Sequence, residues 1–593
     1  MTDTSHPELR GTTGMVVSTH WLASSAGMAV LERGGNAFDA AAAAGFVLEV
    51  VEPHRDGPAA DLALLLYDSA AGGVHVICGQ GPAPAAATPQ AFTSLGLDMI
   101  PGSGLLAACV PGAFGGWLLL LERFGTWRLA DILAFAIGHA GHGYPLPHEA
   151  AQTIENAASL FRDEWTESAK VYLPGGRPPQ AGARFRNPDL AETYVRIVAE
   201  AESGQGGREA ELERARRAWY EGFVAEQIDA FCAGPAFLDM TGRRHAGLLR
   251  GGDLAAWRAT LEQPTWLDYQ DWRIHKTGPW GQGPVFLQQL ALLAGFDLRS
   301  LDPAGGEFAH IVIEAAKLAM ADREAWYGDP GFVPDITGDL LHPSYTERRR
   351  SLIGDTASRE MRPGAPGGRA PQMPSPSSPP SAAMIAAVLG AHGPAARPSG
   401  NTSHLDVVDR WGNMVSATPS GGWLQSSPAI PGLGFGLGTR LQMAALQQGL
   451  PNTVAPGKRP RTTLSPSLAF RDGQPCLAFG TPGGDQQDQW SLTFFVRLAA
   501  TGWNLQQVLR LPMFHTGSFY QSFLGHHWYP GLAVAEENLG DPAISVLRRR
   551  GHDVQLQPAW QLGLICAAGQ DRPAGTMRAA ADPRGTHARV VGR

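Results

Sequence analysis

Two spacings organise the chain. Residues 61–67 and 105–110 read as apolar runs buried on both faces, the mark of internal strands, and residues 15–18 form a shorter one. Residues 21–33 carry helical spacing through Leu22, Ala26, Ala29 and Val30, and Gly34-Gly35 is a C-terminal stop. Asn36 then caps an alanine-rich helix to about Val51, whose small side chains predict close packing. A helix over 113–123 follows Pro111-Gly112, helical stretches continue to about Phe237, and a long helix is predicted over 308–327. Residues 362–400 are crowded with Pro, Gly, Ala and Ser, too poor in large apolar groups to repay ordering, and predict a mobile loop. The texture then changes abruptly. Leu405 and Val407 alternate with His404, Asp406 and Val408, a turn fits 409–413, and 414–418 returns as the second strand of a hairpin. Strands at 467–470 and 475–479 and a helix from about 489 to 501 follow, with no internal repeat and no heptad run.

Length and composition narrow the classes. The 593 residues are 44% hydrophobic, enough for a large core, and a net charge of -8 without a basic tract argues against a nucleic-acid partner. The five cysteines are scattered without ligand spacing and read as reduced buried residues. The first ten residues lack a basic segment followed by an apolar one, and no apolar run is long enough to span a bilayer. The expectation is a cytoplasmic protein with no membrane partner.

The chemistry concentrates where the loop meets the hairpin. Thr402 stands at that junction, so cleavage before it would expose a threonine as a new amino terminus. Such a threonine carries its own base, the terminal amine, with a pKa of roughly 7.7–8.0. Most threonines at a loop-to-strand junction do no chemistry, and the local pattern alone does not settle the matter.

The run from Asn401-Thr402-Ser403-His404 through Asp409-Arg410-Trp411-Gly412-Asn413 resembles the processing site of the γ-glutamyltransferase family, N-terminal nucleophile (Ntn) hydrolases that mature by self-cleavage. Glu52-Pro53-His54, the segment 314–323, Gly480-Thr481-Pro482-Gly483-Gly484 and Ala581-Asp582-Pro583-Arg584 resemble further family landmarks in the same order, so the resemblance runs from about Gly14 to Arg584. It implies an α+β fold, a four-layer αββα sandwich. It also implies cleavage between Asn401 and Thr402 into a large subunit, 1–401, and a small catalytic subunit, 402–593, interleaved as one structural domain. The implied roles are Thr402 as nucleophile, Gly483 and Gly484 as backbone donors to the oxyanion, and Thr418 and Ser420 as hydroxyls beside the nucleophile. Thr462 and Thr463 take the place of paired serines that hold a substrate carboxylate. The implied partners are a small amide and a water or amine acceptor. A heterodimeric protomer is expected, with its pairing into a dimer of heterodimers left open, and no cofactor or metal is implied.

Departures from the family pattern bear on substrate. Gln80 stands where transferases carry an arginine for the γ-glutamyl α-carboxylate, and it cannot offer a charged two-pronged donor. Gly422 replaces a substrate-contacting asparagine. The acidic residue that receives the α-ammonium falls near Gln442-Met443, and Arg440 appears beside it. Both ends of the amino-acid clamp are altered, which favours an amidohydrolase similar to the oxamate-amidohydrolase-like branch, acting on a small carboxylated amide. Arg440, Arg461 or Arg55 could pair with that carboxylate. The alternatives are a true γ-glutamyl hydrolase or transferase with a rebuilt clamp, and a non-catalytic scaffold. His526-His527 reads as a surface pair, and His148 to Gln152 fails the zinc-protease pattern because its second ligand position is Gln.

Overall fold

The computed structural model describes residues 7–375, 402–523 and 525–593. Two seven-stranded sheets stack face to face. One runs Arg589–Gly592, Gly14–Ser18, Leu405–Asp409, Met414–Ser420, Asp61–Asp68, Gly73–Gly79, Thr260–Glu262; the other runs Leu9–Gly11, Thr576–Ala581, Cys566–Asp571, Gln474–Gly480, Ser467–Arg471, Trp272–Lys276, Thr265–Tyr269. Strands from before and after Thr402 share both sheets, so neither segment builds a sheet alone.

The period-two alternation sorts side chains into three cores. Val16, Leu64, Leu66, Val407 and Val415 face the helices Trp21–Glu32, Ala37–Val51 and Ala113–Phe124. Their strand neighbours Met15, Val17, Ala63, Leu65 and Met414 meet Leu468, Ala478, Ala568 and Ala579 of the second sheet. Ile274, Leu477 and Phe479 face outward again, onto the helices Gly283–Leu293, Gly306–Trp326 and Gln487–Thr501. Helix, sheet, sheet, helix: this is the αββα sandwich.

The capping at Asn36 is realised in full, its Oδ1 accepting from the amides of Phe38 and Asp39 (both 3.0 Å) while Asp39 Oδ2 accepts from Asn36 N. The run 105–110 is not a strand. Leu105–Ala107 is a 3₁₀ turn and Ala108, Cys109 and Val110 stay buried without joining a ladder. Gly104 at φ 85° bends the chain just before it, and Val110 N bonds the Pro82 carbonyl of a loop (3.1 Å). An apolar run reports burial, which an irregular segment satisfies as well as a strand. The segment 362–400 also departs from expectation over its first part. Arg362 reaches Glu314 (3.0 Å), Gly364 N reaches Asp322 (2.7 Å), and Ser375 N reaches Gln447 (2.7 Å), so buried carboxylates and a side-chain amide pin a stretch that composition marks as loose. Its remainder, with Asn401, lies outside the described residues.

One buried acid makes stability pH-dependent. Glu49 accepts from Trp117 Nε1 (3.1 Å) and Tyr194 Oη (2.7 Å), yet burial pushes its pKa up to about 8 against those bonds. The folded state therefore keeps a proton that the unfolded chain, titrating near 4.5, releases. The associated stability is complete below about pH 4.5 and lost as pH rises toward 8. Glu49→Gln keeps an acceptor for Trp117 and a donor for Tyr194, and is expected to stabilise the protein at pH 8 by on the order of a few kcal/mol. Urea unfolding of both proteins at pH 5 and pH 8 checks this: the gain appears at the higher pH only.

Candidate active site

Thr402 enters the first sheet just before the strand Leu405–Asp409. Ser403 N bonds the Pro419 carbonyl (3.2 Å) and Thr19 N bonds the His404 carbonyl (3.0 Å), which fixes the entry between two neighbours. Alternation puts Thr402, His404 and Asp406 on the face toward the second sheet, opposite Ser420, Thr418 and Ser416. Three cross-strand polar contacts result. Thr402 Oγ1 lies 3.2 Å from Ser420 Oγ, His404 Nδ1 lies 2.9 Å from Thr418 Oγ1, and Asp406 bonds Ser416. His404 Nε2 is 3.1 Å from both Asp406 oxygens. Burial raises the Asp406 pKa, and His404 and Ser416 oppose that shift. Glu52, at the end of the Asn36-capped helix, reaches the same corner: its Oε2 accepts from Thr19 Oγ1 (2.5 Å) and Ser403 Oγ (2.6 Å).

The Gly483-Gly484 loop comes from the facing sheet. The strand Gln474–Gly480 ends against this face, and the chain turns through Gly483 at φ 122°, a conformation that favours glycine. Thr402 Oγ1 donates to the Gly483 carbonyl (3.3 Å), which also accepts from Gln487 Nε2. Among the described residues the amide N–H groups of Gly483 and Gly484 have no acceptor. A Cβ at Gly483 would meet Trp490 and one at Gly484 would meet Phe523, each at 2.8 Å, so both positions are tightly packed.

Behind the loop Asp485 accepts from Arg323 and from Ser522 N (2.9 Å). Arg323 also bonds Gln282, Glu324 (2.9 Å) and the Tyr520 carbonyl (2.9 Å), and Arg461 grips Glu324 through two contacts (2.9 and 3.0 Å). The Arg461 pKa is lowered by burial and by Arg323, with Glu324 opposing.

The residues nominated for substrate binding divide into two groups. Among the described residues Thr463 Oγ1 is buried without a partner, and Thr462 Oγ1 accepts only a long bond from Leu464 N (3.4 Å). Gln80 donates to the Pro460 carbonyl while its Oε1 is unpartnered, which ties it to the Thr462-Thr463 segment. Gly422, at φ 60°, packs its carbonyl against Gly57. The arginines, by contrast, already face carboxylates. Arg440 Nε lies 2.7 Å from Asp61 and its Nη2 donates to the Ser420 carbonyl (3.0 Å); Arg461 holds Glu324; Arg55 lies 3.7 Å from Glu52.

Other features stand apart. His526 is no free surface group: it is half-buried, its Nδ1 contacts the Gln521 carbonyl (2.9 Å), and it lines a cavity of about 100 Å³ with Arg461, Glu324 and Tyr520. A groove of about 600 Å³ follows the edge strand Thr265–Tyr269 and includes none of the residues above. Among the described residues one grouping could hold a metal, His310, Glu314 and His552, with donor atoms within 4.8 Å of one another. Lys317 (2.6 Å) and Arg362 (3.0 Å) occupy the two Glu314 oxygens, and their charges oppose a cation. His404, Asp406, Glu52, Asp61 and Asp485 were missed as site residues. The even spacing of 402, 404 and 406 on a strand was the signal available for the first two.

Residues 23–591 match the family model described as gamma-glutamyltranspeptidase. The Acylase ACY 1 proenzyme of Pseudomonas sp. (strain SE83) is 30% identical over 584 residues, covering 96% of this chain and 92% of that one. The oxamate amidohydrolase proenzyme of Klebsiella pneumoniae is 28% identical over 589 residues, covering 98% of each. The solved structure of LmbA2991HD is 50% identical, with a TM-score of 0.93 over the full length of both chains.

Proposed function

Because the chain belongs to the gamma-glutamyltranspeptidase family, we propose that it is a self-processing Ntn amidohydrolase or acyltransferase whose nucleophile is Thr402. One observation carries this: Thr402 Oγ1 lies between the Ser420 hydroxyl and a loop with two uncommitted amides, Gly483 and Gly484. In the precursor the Thr402 oxygen attacks the Asn401 carbonyl carbon, the C–N bond breaks, and the nitrogen takes up the hydroxyl proton. Water then hydrolyses the resulting ester, releasing the Asn401 carboxylate and leaving Thr402 with a free amine. In turnover that amine accepts the Oγ1 proton as the oxygen attacks the substrate amide. The amides of Gly483 and Gly484 stabilise the oxyanion. The leaving amine takes the proton, and water or a second amine releases the acyl group.

The substrate side supports an acyl group without the γ-glutamyl zwitterion. Gln80 is tied to the Pro460 carbonyl and Arg440 to Asp61. Arg440 is committed to Asp61, so this pair leaves no free carboxylate for an α-ammonium, and the Thr462 and Thr463 hydroxyls remain able to donate to a substrate carboxylate. A small amide bearing one carboxylate fits those hydroxyls. The two segments, 1–401 and 402–593, stay together as a heterodimer because they share both sheets. No helix among the described residues is long and apolar enough to cross a membrane.

A panel of amides matched in length, with and without an α-amino group, tests the substrate class. We expect kcat/KM to favour the amides that lack it by about tenfold or more. Equal turnover of γ-glutamyl amides would instead establish a glutathione-hydrolase-type specificity with a rebuilt clamp.

A further inference from the structure

We infer that His404, braced by Asp406, is a positioning residue that holds the nucleophile strand and the oxyanion loop in register. The inference rests on Thr402 being the self-processing nucleophile, but not on the identity of the substrate.

His404 is fully buried, two residues beyond Thr402 on the same strand face. With Asp406 ionised, its two oxygens only accept, so Nε2 carries the ring proton. In the neutral imidazole Nδ1 is then an acceptor, and the Thr418 hydroxyl donates to it (2.9 Å). The direction of the Thr418 hydroxyl is therefore set by a carboxylate it does not touch. Thr418 in turn sits two residues before Ser420, the hydroxyl that meets Thr402. The fourth side of the ring lies on the other sheet. A Cβ at Gly480 would overlap the imidazole, so ring and backbone are in van der Waals contact at the residue that opens the loop to Gly483 and Gly484. One side chain thus touches its own strand, the neighbouring strand and the strand that delivers the oxyanion donors. A hydrophobic residue of similar size would fill the space but leave Thr418 and Asp406 buried without their partner.

The role differs from a purely structural one in what it predicts. Register between nucleophile and oxyanion donors acts in the transition state, so its loss lowers kcat and the self-cleavage rate while leaving KM nearly unchanged. Asn carries an amide oxygen near the place of the imidazole Nδ1, whereas Gln carries its amide near Nε2, so the two substitutions separate the Thr418 contact from the Asp406 contact.

The experiment follows self-cleavage by intact mass in purified wild type, His404→Asn, His404→Gln, Thr418→Val and the His404→Gln/Thr418→Val pair. Kinetics on whatever material matures, and thermal unfolding of each variant, accompany it. We expect His404→Gln and Thr418→Val each to slow cleavage and kcat by about 10²-fold, with KM within about twofold. His404→Asn is expected to recover part of that loss, and the double variant to be no worse than the poorer single. Cleavage of His404→Gln at the wild-type rate, or losses that multiply in the double variant and track lost thermal stability, would overturn the inference. Thr418→Val is nearly isosteric, so it gives a reading even where a His404 variant fails to fold. A wild type that never cleaves defeats instead the reading of Thr402 on which the inference rests.

Discussion

Thr402→Ala is expected to abolish amide turnover, by on the order of 10⁶-fold, the scale on which removing a hydrolase nucleophile is felt. The size follows from what the residue supplies. In the proposed mechanism Thr402 provides both the attacking oxygen and, once cleaved, the amine that takes its proton, so a single substitution removes nucleophile and base together. The described neighbours offer no replacement: among the described residues Ser420 Oγ is the one hydroxyl within bonding distance of Thr402 Oγ1, and it lies on the adjacent strand, not at a chain terminus. Thr402→Ser keeps the hydroxyl and is expected to retain measurable activity, lowered because the lost methyl helps hold the oxygen's rotamer. Initial rates on the best amide of the matched panel check both variants. Residual turnover by Thr402→Ala within about tenfold of Thr402→Ser would assign the nucleophile elsewhere.

The second large effect is on folding, and it comes from behind the Gly483-Gly484 loop. Arg323 is fully buried and bonds Asp485, Glu324, Gln282 and the Tyr520 carbonyl. Burial by itself lowers the arginine's pKa, but the charges of Asp485 and Glu324 outweigh it and the net shift is upward. Arg323→Ala strands a buried carboxylate directly after Gly484, and breaking such a pair from one side typically costs about 3–5 kcal/mol. Glu324 keeps Arg461, so the exposed fault is Asp485, and the loop that carries the amide donors shifts with it. Urea unfolding is expected to show the loss, with Arg323→Ala/Asp485→Asn recovering part of it by removing the stranded charge. A double variant no more stable than Arg323→Ala would place the cost in lost packing instead.

The fold was largely legible because its strands and helices carry regular spacings. The alternation over 404–408 and the asparagine cap at residue 36 each follow from a local rule that the structure obeys. The run 105–110 misled because burial was all it encoded. Of the candidate site, the sequence made legible the residues that coincide with family landmarks, Thr402, Gly483 and Gly484, and the structure brings these together. Arg440 shows why the remainder was not. Its charge suggested a substrate carboxylate, but its partner is Asp61, 379 positions earlier, and no local pattern announces such a pairing. Likewise His404 and Asp406 read as the polar half of an ordinary strand. Only the second sheet, which seals that face, turns them into a buried pair beside Thr402.

The central claim is that the chain cuts itself before Thr402 and uses the threonine so exposed. Intact mass of the purified wild type, alongside Thr402→Ala, tests it most directly. The account predicts two fragments from the wild type, the smaller beginning at Thr402, and one uncut chain from the variant. A wild type that stays in one piece after prolonged incubation, yet still turns over the matched amides, would contradict it, since the nucleophile would then lack the amine that serves as its base.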